Sequence, residues 1–545
     1  MTRQLILCCD GTNNNLTGAA HDTHVVRIAE MLACNPDAER LVFYDPGVGH
    51  AATLPGGTLW EQLKLWRDRV NGLAFGQGVF ENILECYRFL MLNYRPGDQL
   101  FFFGFSRGAF TARSVAGMVN LFGIPAASHE NMLPTLLHLY FSQRGDAGQF
   151  DAVSQQARTL FVPPERRQVP VHFVGVWDTV ASVGLWPFGL RFTARPVAAG
   201  KAFVHVRHAL ALDEHRAPFE PRLYEDANGP LRSRDGQLGS IKQVWFRGAH
   251  ADVGGGYPWR EAGAAEAALG WMLSEAITCG LRLRAGDQPL QDEDDVLRAL
   301  TTRQGPRAEA RPLRPQLHDE LADGPAWALT GQRLRAARQG EEHPSVAARD
   351  ARWPQDTVWP QRATRPIDRA CWILLPFLWL WMGVLLTGFG RGSPGDWTQF
   401  QAQLGAILAA PTQYALWQLS AGWLPGPRAL GDPAVLSALA VESGFIAAYA
   451  LLLARMLSRA FARAAGLRRL GQAADPLMQR LGQALPLLVG ADLLETGLCA
   501  LSYAFVGSGL DWLAPLLRLL IVPVAAAKFI GLGGCAMLFW RGLRS

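Results

Sequence analysis

The sequence has few lysines, few cysteines and less charge than a soluble protein of this size usually carries. Lysine occurs four times among 52 basic residues in a chain of 545 residues. Charged residues make up 18% of the chain, against about a quarter in an average soluble domain. Residues 1–369 hold 40 basic and 40 acidic side chains, so this part lacks the basic excess that nucleic-acid binding needs. The net charge of +5 therefore lies in residues 370–545, which hold 12 basic and 7 acidic side chains.

The eight cysteines show no pairing pattern. The sequence contains no C-x-x-C and no Cys/His ligand spacing, which argues against both a disulfide framework and a structural zinc site. We therefore expect reduced thiols, no bound metal and no cofactor. The apolar stretch Leu5–Cys9 is too short for the hydrophobic region of a signal peptide, so we expect none, and it suits a buried strand.

The first 280 residues alternate strand-like and helix-like segments. Gln4–Cys9, Gln99–Gly104 and Val171–Trp177 are short apolar strand candidates, and Val79–Leu92 and Arg107–Phe122 carry apolar residues at helical spacing. Such alternation predicts the α/β class, with an open, mainly parallel sheet and helices on both of its faces.

Four long apolar stretches follow a polar segment rich in proline and arginine. They are Ala370–Gly390, Ala434–Ala454, Ala484–Leu510 and Leu513–Trp540. The first has 21 residues without a charge, which is enough to cross a bilayer. The other three contain one or two charges each. Buried helices of a soluble domain remain an alternative for all four stretches, and more so for these three. We predict an α/β domain over 1–320, a polar linker or domain margin over 321–366, and an all-α membrane region of about four helices over 367–545.

Basic residues flank these stretches unevenly. The loop 455–480 between the second and third stretches carries six arginines against one aspartate, and arginines also precede the first stretch and follow the last. Because basic loops stay on the cytoplasmic side, four spans with both termini and the α/β domain in the cytoplasm are predicted.

A G-x-S-x-G motif, Gly104-Phe105-Ser106-Arg107-Gly108, follows the apolar strand QLFFFG and precedes a helical pattern. A strand, a tight turn and a helix in this order form the setting of a nucleophile elbow, in which glycines allow a strained turn. A serine there lies at a helix N-terminus, where the dipole and the backbone N–H of Arg107 stabilise an oxyanion. We predict that Ser106 is a nucleophile, with an ordinary βα-turn serine as the alternative.

A serine nucleophile needs a base, and the base needs an acid that orients it. Asp178 follows the strand VHFVGVW, and His250 follows VWFRGA. Both lie at strand ends on the predicted sheet edge that carries Ser106, which is where open α/β sheets place their sites. We predict that His250 takes the serine proton and that Asp178 holds the imidazole tautomer.

Other residues compete for these roles. His215 has carboxylates close by in sequence and is predicted to be a structural or rim residue, while Asp252 is predicted to cap the segment it lies in. Asp10 ends the first strand, where we expect a hydrogen bond that anchors a turn or loop. Gly11 or Thr12 would supply a second oxyanion N–H.

Six motifs occur together and in order. They are CCDGTNNN at 8–15, YDPGVG at 44–49, GFSRGAFTAR at 104–113, VGVWDTVASVG at 174–184, ALDEHRAPFEP at 211–221 and RGAHADVGGGY at 247–257. The set resembles the catalytic domain of the type VI secretion phospholipase effector family, a group of α/β-hydrolases, over about 1–320. The resemblance implies a lipolytic serine hydrolase of glycerophospholipid acyl esters with the triad Ser106, Asp178 and His250. His50 departs from the threonine that the family more often shows, and 370–545 matches no motif of the family.

An apolar, aromatic loop, Val183–Leu190, follows Asp178. We expect its Trp186 and Phe188 to line the acyl-binding site or to enter lipid, with ordinary packing as the alternative.

The residue patterns predict a membrane-anchored serine hydrolase. The resemblance implies phospholipase A-type cleavage and an antibacterial type VI secretion effector that is secreted into a target cell. The alternatives are a housekeeping inner-membrane esterase and a membrane toxin or anchor whose hydrolase domain is inactive. The expected partners are membrane phospholipid as substrate, the membrane itself and, for an effector, a secretion-apparatus, chaperone or immunity protein. No nucleic acid is expected among them.

Overall fold

The chain is described here from a computed structural model. The described residues are 2–11, 22–33, 37, 39–47, 77–142, 147–180, 182–183, 190–191, 198, 200–233, 236–258, 261–285, 288–290, 295, 317–318, 320, 327, 330–332, 335, 340–347, 373–378, 380–381, 384, 402, 406, 433–465, 476–505 and 512–544.

One eight-stranded sheet organises the N-terminal two thirds of the chain. The described residues form twelve strands in all, of which eight belong to this sheet. They are β1 (Gln4–Cys9), β2 (Arg40–Asp45), β3 (Gln99–Phe105), β4 (Val171–Trp177), β5 (Ser182–Val183), β6 (Leu190–Arg191), β7 (Phe203–Ala211), β8 (Gly229–Arg232), β9 (Leu238–Phe246), β10 (Arg284–Ala285), β11 (Gln288–Pro289) and β12 (Glu341–Glu342). Seven strands run parallel in the order β2-β1-β3-β4-β7-β9-β12, and β8 pairs with β9 in the antiparallel direction. Strands β5 and β6 form one small hairpin, and β10 and β11 form another.

Helices cover both faces of this sheet and make up the C-terminal region. The helices are α1 (His24–Ala33), α2 (Gln77–Asn93), α3 (Arg107–Phe122), α4 (Leu133–Phe141), α5 (Ala147–Phe161), α6 (His250–Gly254), α7 (Ala265–Thr278), α8 (Pro433–Ala465), α9 (Pro476–Leu481), α10 (Ala484–Phe505) and α11 (Leu513–Arg544). Short 3-10 turns lie at Ala127–Met132, Pro164–Arg166, Ala217–Phe219, Ala262–Ala264 and Pro344–Ala347.

Alternate residues of the central strands point into two separate cores. Leu5 and Phe102 pack with helices α2 and α3 on one face, whereas Ile6 and Phe101 pack with α1 and α7 on the other. A parallel strand that is buried on both faces needs apolar residues at every position, which is why β1 and β3 read as continuous apolar runs. The α/β class predicted from the sequence is confirmed.

Residues beyond 320 also contribute to the α/β unit. Strand β12 adds to the sheet edge beside β9, and the N–H of His343 donates to the carbonyl of Trp245 at 2.9 Å. Arg216 and Gln332 form an isolated β-bridge, and the N–H of Gln332 donates to the carbonyl of Gly482 at 2.8 Å. The described part of 321–366, which was predicted as a linker or domain margin, therefore contacts both the sheet and the helices of the C-terminal region.

Two helical stretches in the described C-terminal region are long and apolar enough to cross a membrane. They are Leu477–Leu501 and Leu519–Arg541, with a shorter apolar segment at Ala440–Ala454. These three overlap the last three stretches predicted from the sequence, while more than half of 370–390 lies outside the described residues. Many large apolar side chains of α11 are exposed, with Ile530 at 68%.

Three of the charged side chains inside these apolar helices are paired with one another. Lys528 on α11 forms ion pairs with Asp492 and Glu495 on α10, with 3.2 Å between its Nζ and the Glu495 carboxylate. The hydroxyl of Tyr449 on α8 donates a hydrogen bond to Asp492. Pairing of this kind reduces the cost of placing ionisable groups in an apolar layer.

Candidate active site

Ser106 occupies a strained turn between β3 and α3. Its backbone has φ 59 and ψ −120, a region that non-glycine residues rarely adopt. The two glycines of the motif make this turn possible. A Cβ on Gly104 would lie 2.6 Å from the carbonyl oxygen of Gly108, and one on Gly108 would overlap the carbonyl oxygens of Cys9 and Asp10. The G-x-S-x-G spacing therefore reflects close backbone packing of β3, α3 and the end of β1.

The backbone around Ser106 is held by the neighbouring strand. The N–H of Ser106 donates to the carbonyl of Trp177 at 3.0 Å, and the residue is 7% exposed. Arg107 is the first residue of α3, and the first N–H groups of a helix have no acceptor within it. The backbone N–H of Arg107 thus lies beside the serine at the positive end of the helix dipole.

Asp178 follows β4 directly and lies beside Ser106 at the same sheet edge. Phe105 and Trp177 are paired in the β3–β4 ladder, so the residue after each of them leaves the sheet at the same level. The N–H of Asp178 donates to the carbonyl of Ala209 on β7 at 2.7 Å. Its side chain is fully buried.

His250 is the first residue of α6, just beyond β9. Its Nδ1 lies 2.5 Å from Oδ2 of Asp178, and its ring packs between Phe105, at 4.6 Å between centroids, and Phe219, at 4.9 Å. A carboxylate can only accept, so Nδ1 carries a proton, and in the neutral form of the ring Nε2 is the nitrogen that accepts. Within the described residues, Nε2 is buried and makes no hydrogen bond. The histidine therefore presents a free acceptor on the side away from the aspartate.

Asp178 is ionised although it is buried. Burial by itself would raise the pKa of this carboxyl, but the Arg335 guanidinium and the hydrogen bond from His250 hold the pKa below its usual range. Nη2 of Arg335 lies 2.9 Å from Oδ2, and Nη1 bonds to Oδ1. The N–H of Ala211 donates to Oδ1 at 3.1 Å. These contacts keep a negative charge available to the histidine.

A second buried carboxylate faces the backbone of the histidine. The N–H of His250 donates to Oε2 of Glu214 at 3.2 Å, and Arg216 forms an ion pair with Glu214 at 2.7 Å. Burial would raise the pKa of Glu214, but the adjacent Arg216 charge lowers it to about 2. This pair fixes the start of α6 and with it the position of the imidazole.

The rival acid, Asp252, has different partners. It accepts the N–H of Ala249 at 2.9 Å, so the predicted capping role is confirmed. Its other carboxylate oxygen lies 2.8 Å from Nδ1 of His318. His215, the rival base, is buried.

Asp10 anchors the loop that follows β1, as the sequence predicts. Its carboxylate accepts hydrogen bonds from Gly11 N–H at 2.7 Å, from Thr23 Oγ1 at 2.9 Å and from Tyr44 OH at 2.9 Å. Because the N–H of Gly11 is donated to Asp10, its use for an oxyanion would require that bond to break. Thr12, Trp186 and Phe188, which were also predicted as site residues, lie outside the described residues.

Three residues of the site were not predicted from the sequence: Glu214, His318 and Arg335. Glu214 stands in the ALDEHRAPFEP motif beside His215, where a search for a buried acid could have found it. Arg335 and His318 carry no local signal, because their partners lie 157 and 66 residues away in sequence.

One group of buried side chains in the described residues has the geometry of a metal site. Ligand atoms of Cys9, Asp45 and Cys86 lie within 4.8 Å of one another, and the two sulfurs are 3.6 Å apart. Burial raises the pKa of Asp45 to about 8 and that of Cys86 well above its usual value. At neutral pH these groups are mainly protonated and uncharged, which makes the cluster a poor cation ligand as it stands.

Comparisons with known proteins give one curated relative and one solved structure similar to this chain. A curated relative, an uncharacterized protein of Saccharomyces cerevisiae, is 30% identical over 227 residues, which are 40% of this chain and 32% of the relative. The chain thus spans about a third of the length of the curated relative it matches. The crystal structure of an uncharacterized protein from Pseudomonas aeruginosa aligns with 91% of this chain and 67% of its own, at 18% identity and a TM-score of 0.30.

The family comparison covers Ser106, Asp178 and His250. The model described as T6SS, Phospholipase effector Tle1-like, catalytic domain matches residues 3–275, which is half of the chain. Strands β1 to β9, the Ser106 turn and His250 all fall inside this match. The chain therefore belongs to the type VI secretion Tle1-like phospholipase effector family and carries its catalytic domain in residues 3–275.

Proposed function

We propose that this protein is a membrane-anchored serine hydrolase that cleaves acyl esters of glycerophospholipids, with Ser106 as nucleophile, His250 as base and Asp178 as orienting acid. The observation that carries the proposal is the hydrogen-bonded His250–Asp178 pair at the sheet edge where Ser106 takes its strained turn. Membership of a phospholipase effector family supports a lipid substrate.

The proposed reaction is acyl transfer through a covalent intermediate. Ser106 Oγ attacks the ester carbonyl carbon while His250 Nε2 takes the hydroxyl proton, and Asp178 stabilises the resulting imidazolium. The tetrahedral intermediate expels the lysophospholipid alkoxide, which takes the proton back from His250. Water, activated by the same histidine, then hydrolyses the acyl-serine ester and releases the fatty acid. The free Nε2 supports this role, because in the neutral ring it is an acceptor with no other hydrogen-bond partner among the described residues.

The oxyanion would be stabilised by backbone donors at the start of α3. The N–H of Arg107 is the first donor in this proposal, because it follows the nucleophile and has no helical acceptor. Gly11 or Thr12 remains the proposed second donor, and for Gly11 the bond to Asp10 must first open. Trp186 and Phe188 remain proposed acyl contacts.

The C-terminal region is proposed to anchor the enzyme in a bilayer. Leu519–Arg541 is 23 residues long, and the exposure of side chains such as Ile530 supports contact with lipid rather than with water. We retain the proposal of about four spans over 367–545, with both termini and the 1–320 domain on the cytoplasmic side. An anchored enzyme would meet its substrate in the plane of the membrane, and as an antibacterial effector it would be countered by an immunity protein in the producing cell.

The deciding experiment compares the purified full chain with Ser106→Ala on defined vesicles. Phosphatidylethanolamine and phosphatidylglycerol with palmitoyl at sn-1 and oleoyl at sn-2 serve as substrates, and mass spectrometry identifies the products. We expect one fatty acid and its matching lysolipid from the wild type alone, with palmitate indicating sn-1 cleavage and oleate sn-2 cleavage. Equal products from both proteins would refute Ser106 as the nucleophile.

Three further measurements test the remaining parts. A fluorophosphonate probe should label the wild type at Ser106 and leave Ser106→Ala unlabelled. Alkaline carbonate washing of membranes should leave the full chain in the pellet, and recovery in the supernatant would contradict anchoring. Undiminished toxicity of Ser106→Ala in a target cell would favour the alternative of a membrane toxin with an inactive hydrolase domain.

A further inference from the structure

A buried arginine from beyond the family match contacts the acid of the proposed triad. Arg335 lies outside residues 3–275 and is 7% exposed. Its Nη1 bonds to Oδ1 of Asp178, and its Nη2 lies 2.9 Å from Oδ2. A guanidinium that meets a carboxylate at two points fixes the plane of the carboxylate as well as its charge.

The guanidinium of Arg335 is itself held by backbone carbonyls. Nη1 also donates to the carbonyl of Ala211 at 2.8 Å, and Nη2 donates to that of Phe219 at 2.6 Å. Ala211 ends β7, and the ring of Phe219 packs against His250. The arginine therefore connects the acid, the end of a central strand and the segment that covers the base.

The orientation of Asp178 depends on this arginine. Oδ1 accepts from Ala211 N–H and Arg335, while Oδ2 accepts from His250 and Arg335. Rotation of the carboxylate would break both guanidinium contacts together with the bond to the imidazole. Loss of Arg335 leaves Oδ1 with the single N–H of Ala211 and frees this rotation.

Charges around the imidazole are balanced in pairs. Asp178, at the end of β4, and Glu214, just after β7, are the carboxylates that contact His250. Arg335 pairs with Asp178, and Arg216 pairs with Glu214. The imidazole thus lies among two negative and two positive charges. Removal of either cation would leave a net negative charge that favours imidazolium.

Other titratable groups near His250 and Asp178 add no net charge beside the imidazole. Asp252, on the same helix as the base, pairs with His318. His208 on β7 accepts the N–H of Thr179, next to Asp178, and burial lowers its pKa to about 3, so it is uncharged at neutral pH.

We propose that Arg335 is a positioning residue for this site: it holds the carboxylate plane of Asp178 toward His250 and balances the charge of that carboxylate beside the imidazole. The inference rests on the proposed function, since it assigns Arg335 a part in that same site. It also makes the segment around residue 335 necessary for a complete catalytic unit, although the family match ends at residue 275.

The test measures hydrolysis of the soluble ester p-nitrophenyl butyrate by the full chain in detergent. For Arg335→Gln we expect kcat to fall about 10- to 100-fold with KM changed less than about threefold. We also expect the acid limb of kcat/KM to move about one unit to higher pH, because the uncompensated carboxylate favours imidazolium. Arg335→Lys keeps the charge and loses the two-point contact, so its kcat should fall about tenfold with the acid limb in place.

Arg207→Gln is the matched control. Arg207 lies on β7 and is buried, as Arg335 is, and it pairs with Glu275 at 2.6 Å. In the described residues it contacts neither Asp178 nor His250. It should lower thermal stability and leave kcat and the acid limb unchanged. A wild-type kcat and acid limb in folded Arg335→Gln would overturn the proposal, as would an equal shift of the limb in Arg207→Gln.

Two outcomes separate this inference from the proposed function. If Arg335→Gln does not fold, the kcat of Arg335→Lys is used to test the role of Arg335. A wild-type kcat in that variant would overturn this role. Continued hydrolysis by Ser106→Ala would overturn the proposed nucleophile. An inactive Ser106→Ala beside an unaffected Arg335→Gln would overturn the Arg335 inference alone.

Discussion

Ser106 and Asp178 leave the sheet side by side, each with a positive backbone φ angle. Their φ angles are 59° and 40°, and they are the two non-glycine residues with positive φ in the part of the chain that the structure describes. They directly follow Phe105 and Trp177, which are paired in the β3–β4 ladder. Backbone strain of this kind costs about 1–3 kcal/mol per residue and tends to be retained at functional sites. The two strained turns lie at the sheet edge where we propose the active site.

Substitution of Gly108 tests the packing behind the elbow. In Gly108→Ala the new Cβ would overlap the backbone carbonyls of Cys9 and Asp10, which cannot move aside as a side chain could. We expect a loss of about 2–3 kcal/mol in the free energy of unfolding, and no fluorophosphonate labelling. Thermal unfolding and gel labelling give the two readouts.

Gly490→Ala is the control for that substitution. Gly490 is also a helical glycine, but a Cβ added there would have no atom within 4 Å. It should be neutral or slightly stabilising. Equal stability of the two variants would contradict the close approach of β1 and α3.

Asp178→Asn should separate the orienting acid from its rival. An amide cannot hold the productive tautomer of His250, so kcat should fall by about 10³–10⁴ with little change in KM. Asp252→Asn disturbs the pair with His318 instead, and we expect less than about a tenfold loss of kcat together with reduced thermal stability. Steady-state kinetics on p-nitrophenyl butyrate measures both. A larger loss of kcat in Asp252→Asn than in Asp178→Asn would reverse the assignment.

The stability contributed by Glu214 should depend on pH. The neighbouring Arg216 holds the pKa of this buried carboxyl at about 2, below its ordinary value of 4.5. A depressed pKa in the folded state gives stability that is complete above about pH 5 and lost as the pH falls toward 2. This shift corresponds to about 3 kcal/mol.

Glu214→Gln isolates that contribution. At pH 7 the variant should be less stable than the wild type, and the difference should narrow as the pH is lowered below about 4. Urea unfolding at several pH values measures it. A difference that stays constant down to pH 3, or widens, would show that the ion pair does not set this pKa.

Lys528 should be required for stability of the C-terminal helices. Lys528→Met leaves Asp492 and Glu495 without their cation among apolar helices, and breaking a buried pair costs about 3–5 kcal/mol. We expect a lower Tm in detergent, restored in the triple variant Lys528→Met/Asp492→Asn/Glu495→Gln. Lys242→Met, which removes a half-exposed partner of Glu275, should cost less than about 1 kcal/mol. A triple variant no more stable than Lys528→Met would contradict a cost that arises from unpaired charge.

Local patterns were sufficient for much of the fold and part of the site. The continuous apolar run of β3 and the helical spacing of α3 bracket Ser106, and the backbone between them adopts the turn that the glycines suggest. Asp178 and His250 each stand just after a strand, and parallel strands bring their carboxyl ends to one edge. Position relative to a strand is a local property, so it can be read from sequence.

Contacts between distant segments could not be read in that way. No pattern near Arg335 indicates that it reaches a carboxylate 157 residues earlier, and the polar composition of 321–366 suggested a linker. The strand β12 is only two residues long and is charged, so it has no strand signature of its own. The sheet edge at β9 holds β12 in place, and the buried carboxylate of Asp178 holds Arg335.

The sequence by itself determined the alternating α/β order, the elbow at Ser106, the apolar C-terminal stretches and the family motifs, because each depends on residues close together in the chain. Only the tertiary structure decided which acid meets His250, how the charge of Asp178 is balanced and that Arg335 belongs to the site. Those contacts depend on burial, where an ionised group must find a partner of opposite charge wherever the fold supplies one.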